Sequence, residues 1–178
     1  MSALSAIPPE QQEILIALPY KAGMAISYAE DEEGEDDDAR ETKALETALK
    51  LHAAPKQTGT ADLIAEIVTQ TLARRADWPR WSEQTFAIEP ECEKAVKILK
   101  SHASETEIRA YIAMMLDVTT RVAQAYGEFG MPEEKPKGIM GFVKKIMGGP
   151  DTANQPMNVS PAEDDSITRI TKALKKYA

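Results

Sequence analysis

The chain has 178 residues, of which 43% are hydrophobic and 28% are charged, and its mean hydropathy is -0.38. This length suits one domain of ordinary size with appended segments, and the composition excludes a disordered chain and an integral membrane protein. The 29 acidic residues outnumber the 21 basic residues, which gives a net charge of -8. Such a charge argues against general nucleic-acid binding, because it repels the phosphate backbone.

The chain contains a single cysteine, Cys92. We therefore expect neither an internal disulfide bond nor a cysteine-based zinc site, and a reducing compartment fits this composition. Residues 1–13 lack the basic and apolar regions of a secretory signal. The stretch from Ile14 to Ala29 is too short and too often interrupted to cross a membrane. These features predict a cytoplasmic protein.

The first predicted helix begins at Pro8 or Pro9, because proline suits the first helical turn. Pro19 lies inside the helix, where it removes a backbone donor and predicts either a kink or a break into two short helices. The apolar positions recur every three or four residues, at Ile14, Leu18, Ala22, Ile26 and Ala29. A short second helix is predicted from one apolar face, formed by Ala44, Leu45, Ala48, Leu49 and His52.

All of the net charge lies in residues 30–41, here called the acidic run, which contain nine acids and one base. Two interpretations stay open. The run is either a solvated loop leading into an acidic first turn of the second helix, or a site for a hard cation such as calcium. The EF-hand pattern is not met, because setting Gly34 at its sixth position puts Ala29 first and Arg40 twelfth. We favour the loop and helix start.

Three further amphipathic helices are predicted between residues 58 and 129. The third helix is capped by Thr58 or Thr60 and stopped by the Trp-Pro-Arg-Trp sequence at residues 78–81. The fourth helix has Pro90 in its first turn and ends near His102. The fifth helix begins with a capping box of Ser104 and Glu107. Its apolar stripe alternates spacings of four and three: Ile108, Ile112, Met115, Thr119, Val122, Tyr126 and Phe129.

Proline and glycine become frequent after residue 130, which is typical of a linker. We predict a helical bundle domain at residues 1–130, a linker with a short amphipathic basic helix at 131–160, and a short helix at 161–178. The last helix is predicted from the stripe Ile167, Ile170, Leu174 and Tyr177. Because the period-two alternation of strands is missing, the predicted fold class is all-α, a compact bundle of about five helices followed by this Pro/Gly-rich linker.

Residues 137–147, here called the tail segment, combine lysines with an apolar helical face. The residues of that face are Ile139, Met140, Phe142, Val143, Ile146 and Met147. A methionine-rich face of this kind can enter the groove of a protein partner or, less favourably, contact a membrane surface. It can equally pack back on the bundle, because so short a helix needs something to pack against.

Four other side chains invite a functional interpretation, and the structural one is favoured for each. Trp78 and Trp81 could form a recognition site but more often fill a gap between helices, with the indole N–H bonded to a backbone carbonyl. His52 and His102 lack nearby zinc-ligand spacing and are interpreted as hydrogen-bonded histidines at helix edges. Cys92 lies on an apolar helix face and is interpreted as a core thiol.

Residues 24–31, Met-Ala-Ile-Ser-Tyr-Ala-Glu-Asp, lead through a glycine-containing acidic stretch into an acidic helix start. This arrangement resembles the TerB-like family of tellurite-resistance proteins over residues 14–51. The resemblance implies an all-α bundle, a stress-associated bacterial context and binding of a divalent cation. It implies four ligands for that cation: Asp31, Glu33, Glu35 and Asp37.

The sequence has no phosphate-binding glycine loop, no paired-histidine zinc helix and no nucleophile elbow, so we expect no catalytic activity. Our leading hypothesis is a non-enzymatic cytoplasmic adaptor that docks a protein partner through the tail segment or the acidic run. The alternative is a divalent-cation-binding or metal-stress protein that uses the acidic run. Calcium or another divalent cation is then the one expected cofactor.

Overall fold

The computed structural model describes residues 3–29, 35–54, 62–126 and 161–178. Within these ranges the chain is α-helical and has no strand, so the predicted all-α fold is confirmed. The helices are α1 Pro9–Ser27, α2 Glu35–Ala53, α3 Leu63–Ala73, α4 Trp78–Ser82, α5 Ile88–His102, α6 Glu105–Tyr126 and α7 Pro161–Lys175. Three short 3-10 turns accompany them, at Leu4–Ala6, Arg75–Asp77 and Thr85–Ala87.

Helix α1 lies at the centre of the bundle and contacts each of the other six helices described. Every residue from Leu15 to Met24 is buried, as expected for a helix covered on all sides. The helix is continuous through Pro19, so the predicted alternative of a break into two helices is wrong. A break would expose apolar surface on both sides of Pro19, which costs more than the one backbone hydrogen bond that proline removes.

One charged side chain of α1 is buried at this centre. The ammonium group of Lys21 lies 2.9 and 3.0 Å from the two carboxylate oxygens of Glu91 on α5. Lys21 is 7% exposed, so its charge depends on this carboxylate for compensation inside the bundle. The pair therefore joins α1 to α5 at one fixed position along both helices.

Two helix starts show where local sequence signals succeed and fail. The Ser104–Glu107 capping box is confirmed, because the Ser104 backbone N–H donates to the Glu107 carboxylate at 2.7 Å and the Glu107 N–H donates to Ser104 Oγ at 3.3 Å. The predicted cap of the third helix is wrong. Its cap is Asp62, whose side chain accepts from the N–H groups of Ile64 and Ala65. Asp62 directly precedes the first helical residue, and a cap must occupy that position.

The tryptophan sequence forms a helix of its own. Helix α3 ends at Ala73, and the residues predicted to stop it form α4 after one 3-10 turn. Trp78 Nε1 donates to the backbone carbonyl of Thr71 at 3.0 Å, and both tryptophans are buried. The interpretation of these side chains as fillers between helices is therefore confirmed for Trp78.

Helix α7 lies where its stripe predicts it, but it packs into the same core as the helices before residue 130. It contacts α5, α6 and α1. Its buried side chains Ile167, Ile170 and Leu174 belong to the apolar cluster formed by those helices. A boundary near residue 130 therefore does not separate α7 from the bundle, because an apolar stripe shows that a face is buried but not against which surface. No helix in the described ranges is long and apolar enough to span a membrane.

The contact between Gly23 on α1 and Leu45 on α2 gives a test of this packing. A Cβ atom at position 23 would lie 2.9 Å from Leu45 Cδ2 and closer still to Cδ1, and Leu45 is fully buried. We expect Gly23→Ala to lower the free energy of unfolding by about 1 to 3 kcal/mol, since an overpacked core must distort. In a Leu45→Ala background, Gly23→Ala should instead raise the free energy of unfolding by up to about 1 kcal/mol, because alanine favours the helix more than glycine does. Urea unfolding followed by circular dichroism measures both values, and equal signs in the two backgrounds would contradict the contact.

The Lys21–Glu91 pair gives a second test. We expect Glu91→Gln to lower the free energy of unfolding by about 2 to 3 kcal/mol, because the buried ammonium group loses its countercharge. Glu93→Gln, on the same helix, removes a carboxylate whose partner Lys176 is half-exposed. This substitution should lower the free energy of unfolding much less. Thermal unfolding of both variants measures the two losses of stability. Similar losses of stability would show that the burial of Lys21 does not strengthen its dependence on Glu91.

Candidate functional site

Large hydrophobic side chains that remain exposed are the first guide to a binding surface. In the described part of the chain they are Tyr28, at 47% exposed, Leu51, at 55%, and Phe86, at 87%. Tyr28 follows the last residue of α1, and Phe86 lies in the turn before α5. These two residues line one recess, while Leu51 lies apart on α2. Aromatic side chains are enriched at interaction sites, so the surface around Tyr28 is the candidate site.

Tyr28 lies between two recesses and lines both. The first, here called the α4 recess, measures about 400 Å³ and lies between α1, α2 and α4. The second, here called the α7 recess, measures about 290 Å³ and lies between the end of α1, the start of α5 and α7. Together they form the Tyr28 surface. The α7 recess is just below the usual size of small-molecule pockets and the α4 recess is in the lower part of that range, so both are large enough for individual side chains of a larger partner.

The α4 recess has an aromatic wall with hydroxyl groups beside it. The rings of Tyr20 and Trp78 stack with their centres 4.5 Å apart. Tyr20 Oη lies 3.1 Å from Ser82 Oγ, which in turn donates to the Trp78 carbonyl at 3.0 Å. Burial raises the pKa of Tyr20 more than the Ser82 hydrogen bond lowers it. The phenol therefore stays protonated at neutral pH and serves as a hydrogen-bonding group rather than a base.

The arginine of the α4 recess is held by neighbouring residues. The Arg75 guanidinium lies 5.4 Å from the centre of the Trp78 ring and 2.5 Å from Glu46 Oε1. Hydrogen bonds from Lys50 and then Arg75 lower the pKa of Glu46. Arg75 thus has an aromatic face and a carboxylate as partners, and its role is to support the wall of the recess.

The α7 recess joins two exposed aromatic rings to an ion pair. Its apolar lining includes Tyr28, Phe86 and Ile170, and its charged lining consists of Glu89 and Arg169. Arg169 Nη1 lies 3.3 Å from Glu89 Oε1, and Arg169 Nε lies 3.2 Å from Asp165 Oδ2. One wall of this recess is α7, so the site depends on the packing of that helix against α5.

The acidic run is attached to the Tyr28 surface at both ends. Ala29, the residue before the run, lines the α7 recess. Thr42, the residue after it, lines the α4 recess. The residues that carry the net charge of -8 are therefore tethered on both sides to the surface that carries Tyr28.

The structure places only some of the residues predicted from the sequence. Asp31 and Glu33 lie outside the described residues, whereas Glu35 and Asp37 are in the first turn of α2. Positions two apart on an α-helix lie on opposite sides of its axis, so that turn does not by itself bring these two positions together. The tail segment, with Ile139, Met140, Phe142, Val143, Ile146 and Met147, also lies outside the described residues. The cation site and the docking face stay predictions.

The two histidines make separate hydrogen bonds. His52 Nε2 lies 2.8 Å from Asp117 Oδ2, which also accepts from Arg121 Nε at 2.8 Å. His102 Nε2 lies 3.1 Å from Gln11 Oε1. The interpretation of both as hydrogen-bonded helix-edge histidines is confirmed. Within the described ranges no three His, Cys, Asp or Glu side chains are grouped closely enough to hold a metal ion.

Cys92 is fully buried, as its position on an apolar helix face predicts. Burial, followed by the neighbouring charge of Glu91, raises the pKa of its thiol far above the usual range. A thiol in this state is neither a nucleophile nor a metal ligand at neutral pH. Cys92 is therefore a packing residue of α5.

Sequence reasoning missed Tyr28 and Phe86 as site residues. Neither belongs to a helical stripe, and an aromatic residue beside a helix end is exposed or buried according to its neighbours. The available signal was the change of pattern at residues 28–30, where the apolar repeat of α1 meets the acidic run. That change of pattern identified the acidic residues as a candidate site, but it did not predict that the adjacent Tyr28 would belong to an exposed binding surface.

No known family matches the sequence, and neither a characterised protein nor a solved structure is detectably similar to it. The resemblance to the TerB-like family therefore stays a prediction.

The Asp117 cluster predicts a pH dependence of stability. Burial raises the pKa of Asp117, but hydrogen bonds from His52 and Arg121 outweigh it and the pKa is lowered from its ordinary value of 3.8. The ionised Asp117 therefore stabilises the fold. This stabilisation is fully present at pH values above the ordinary pKa of 3.8, and it is lost as the pH falls through the lowered pKa of the folded state. At pH 7 we expect Asp117→Asn to cost about 1.5 to 3 kcal/mol, and the difference from wild type should shrink below about pH 4.

Urea unfolding between about pH 7 and about pH 3 measures this difference, with the exposed residue Glu83 changed to Gln as a control. A constant gap between the Asp117→Asn variant and wild type over the whole range would contradict the assignment.

Proposed function

We propose that the chain is a non-enzymatic cytoplasmic interaction protein that docks a protein partner on the Tyr28 surface. The observation that carries this proposal is the convergence of Tyr28 and Phe86 on one recess. Exposing large aromatic side chains to water is unfavourable, and a second protein that covers them gains that free energy on binding. A rim of charged residues around an apolar centre is the usual anatomy of such an interface.

Two features of the α4 recess support a binding role over catalysis. The Ser82 hydroxyl donates a hydrogen bond to the backbone carbonyl of Trp78, and its other neighbour is the hydroxyl of Tyr20. Because the pKa of Tyr20 is raised, the phenol does not act as a base toward Ser82 at neutral pH. An activated nucleophile needs a base within hydrogen-bond reach, and this hydroxyl pair supplies none.

The aromatic residues of the site rest on a rigid frame. Trp78 is fixed by the Tyr20 ring, by Arg75 and by the hydrogen bond to the Thr71 carbonyl. Tyr28 immediately follows the most buried helix of the bundle. The Trp78 wall of the α4 recess therefore needs little ordering when a partner binds, which favours affinity.

A photoreactive phenylalanine analogue placed at position 86 tests the proposal. We expect it to form a discrete adduct with one partner protein in the cells that naturally produce this chain, because Phe86 lies inside the proposed interface. The same analogue at position 51 is the matched control, since Leu51 is also exposed but lies on α2 away from the recess. Electrophoresis and mass spectrometry identify the adducts. Equal adducts at both positions, or none at position 86, would contradict the proposal.

The captured partner then permits a quantitative test with purified full-length protein. Replacing Tyr28 and Phe86 together with Ala should weaken binding by roughly 30-fold to 100-fold, as expected for two hot-spot aromatic residues. Both side chains are exposed, so the melting temperature should stay close to that of wild type. Leu51→Ala should change neither binding nor melting temperature.

A further inference from the structure

We propose that a second surface, formed by lysines around Tyr177, binds an acidic peptide segment of a partner protein. It is here called the Tyr177 surface. Its members are Tyr177, three lysines of α5 and two lysines at the end of α7: Lys94, Lys97, Lys100, Lys172 and Lys176. The inference goes beyond the proposed function, because none of these residues lines either recess.

The packing of α5 against α7 brings these lysines together. Glu89 and Glu93 of α5 pair, in that order, with Arg169 and Lys176. The two helices therefore run side by side in the same direction. The second half of α5 lies beside the last turn of α7, beyond the Glu89–Arg169 pair that belongs to the α7 recess.

The ring of Tyr177 is shared by ammonium groups from both sides of this contact. Lys97 Nζ lies 4.1 Å from the centre of the ring, and Lys176 Nζ lies 5.3 Å from it. An electron-rich ring attracts each cation, which offsets part of the repulsion between the two. Tyr177 therefore holds two positive charges close together at the surface.

The positive charge of this surface exceeds the negative charge that the fold supplies to it. Lys176 pairs with Glu93 at 2.7 Å. The other four lysines are exposed, and within the described ranges none of them forms an ion pair with a carboxylate. A lysine near a helix C-terminus is ordinary, because it complements the helix dipole. Here two helices place their lysines around one ring, and the local surplus attracts a carboxylate-rich partner.

The size of the surface suits a short peptide. Lys94 and Lys100 are six residues apart, so they lie about 9 Å apart along the axis of α5. Three residues of an extended peptide cover about the same length. A segment with a few neighbouring aspartate or glutamate residues can therefore reach all of the lysines.

The two other anionic partners fit less well. Single-stranded nucleic acids combine basic contacts with bases stacked on free aromatic faces, whereas the half-buried Tyr177 ring is already engaged by ammonium groups. Membrane surfaces need apolar side chains beside the cations. The exposed large hydrophobic residues of the described chain are Tyr28, Leu51 and Phe86, and none belongs to the Tyr177 surface.

Three labelled eight-residue peptides, which alternate glycine with glutamate, glutamine or lysine, test the inference. Fluorescence anisotropy with the whole chain at about 100 mM salt limits the influence of distant charges, because the Debye length is about 10 Å. The glutamate peptide should bind at least about fivefold more tightly than the glutamine peptide, and the lysine peptide most weakly. The advantage of glutamate should shrink several-fold at about 500 mM salt.

Charge-matched variants locate the binding. Changing both Lys100 and Lys172 to Gln removes two of the exposed charges and should weaken the glutamate peptide by about threefold to tenfold. Changing both Lys43 and Lys50 of α2 to Gln is the control, because it alters the net charge equally on a helix that packs against α6, α3 and α1. This control should leave binding of the glutamate peptide nearly unchanged.

Tyr177 is a positioning residue in this proposal. Tyr177→Leu keeps an apolar side chain but removes the ring, so it should weaken the glutamate peptide by about threefold. Tyr177→Phe keeps the ring and should bind within about twofold of wild type. Equal effects of both substitutions would overturn the role of the ring.

The remaining outcomes decide the partner. Equal binding of the glutamate and glutamine peptides, or equal weakening by the α2 control, would overturn the inference. Tighter binding of a 20-nucleotide single strand or of phosphatidylserine vesicles than of the glutamate peptide would overturn the choice of an acidic peptide. Replacing Tyr28 and Phe86 with Ala should leave the glutamate peptide unaffected. Its loss there would overturn this inference, and the crosslinking at position 86 would still decide the proposed function.

Discussion

The buried charge of Lys21 constrains how the central helix packs in the bundle. Lys21 lies on the central helix α1, where surrounding helices exclude water, and its ammonium group is held by both carboxylate oxygens of Glu91. Glu91 itself is partly exposed, but a shift of one helical turn would leave the buried Lys21 ammonium group without its countercharge. Lys21 and Glu91 therefore favour one register of α1 against α5, in addition to the apolar contacts between these helices.

This register positions the candidate site. Ala25 and Tyr28 follow Lys21 at the spacing of four and seven residues that keeps them on one side of α1. Ile88 and Glu89 lie within one turn before Glu91 on α5, and together with Ala25 and Tyr28 they line the α7 recess. Helices α1 and α5 run antiparallel, so the C-terminal end of α1 lies beside the N-terminal start of α5. The surface around Tyr28 is thus placed by a contact about two helical turns away.

The sequence patterns predicted the helices well and their mutual packing less well. The stripe from Ile108 to Val122 and the Ser104–Glu107 box described α6 correctly, because both signals act within one helix. The cap at Asp62 and the helix α4 were not predicted, and the alternative of a break at Pro19 was wrong, because tertiary burial or the exact cap position overrode a local rule. The grouping of Tyr28 with Phe86 could not be predicted, since it depends on the register of α1 against α5 and on α7 returning to the bundle.

The contribution of α7 to the α7 recess links binding to the local stability of that helix. Arg169 and Lys176 of this last stretch contact Glu89 and Glu93, partners about 80 residues earlier in the chain. Helix α7 packs against α5, α6 and α1, whereas α1 contacts all six other described helices, and segments with fewer packed neighbours open more readily in local fluctuations. The recess is complete only while α7 is docked, and a ligand that occupies it should slow the hydrogen exchange of α7 amides more than that of α1 amides.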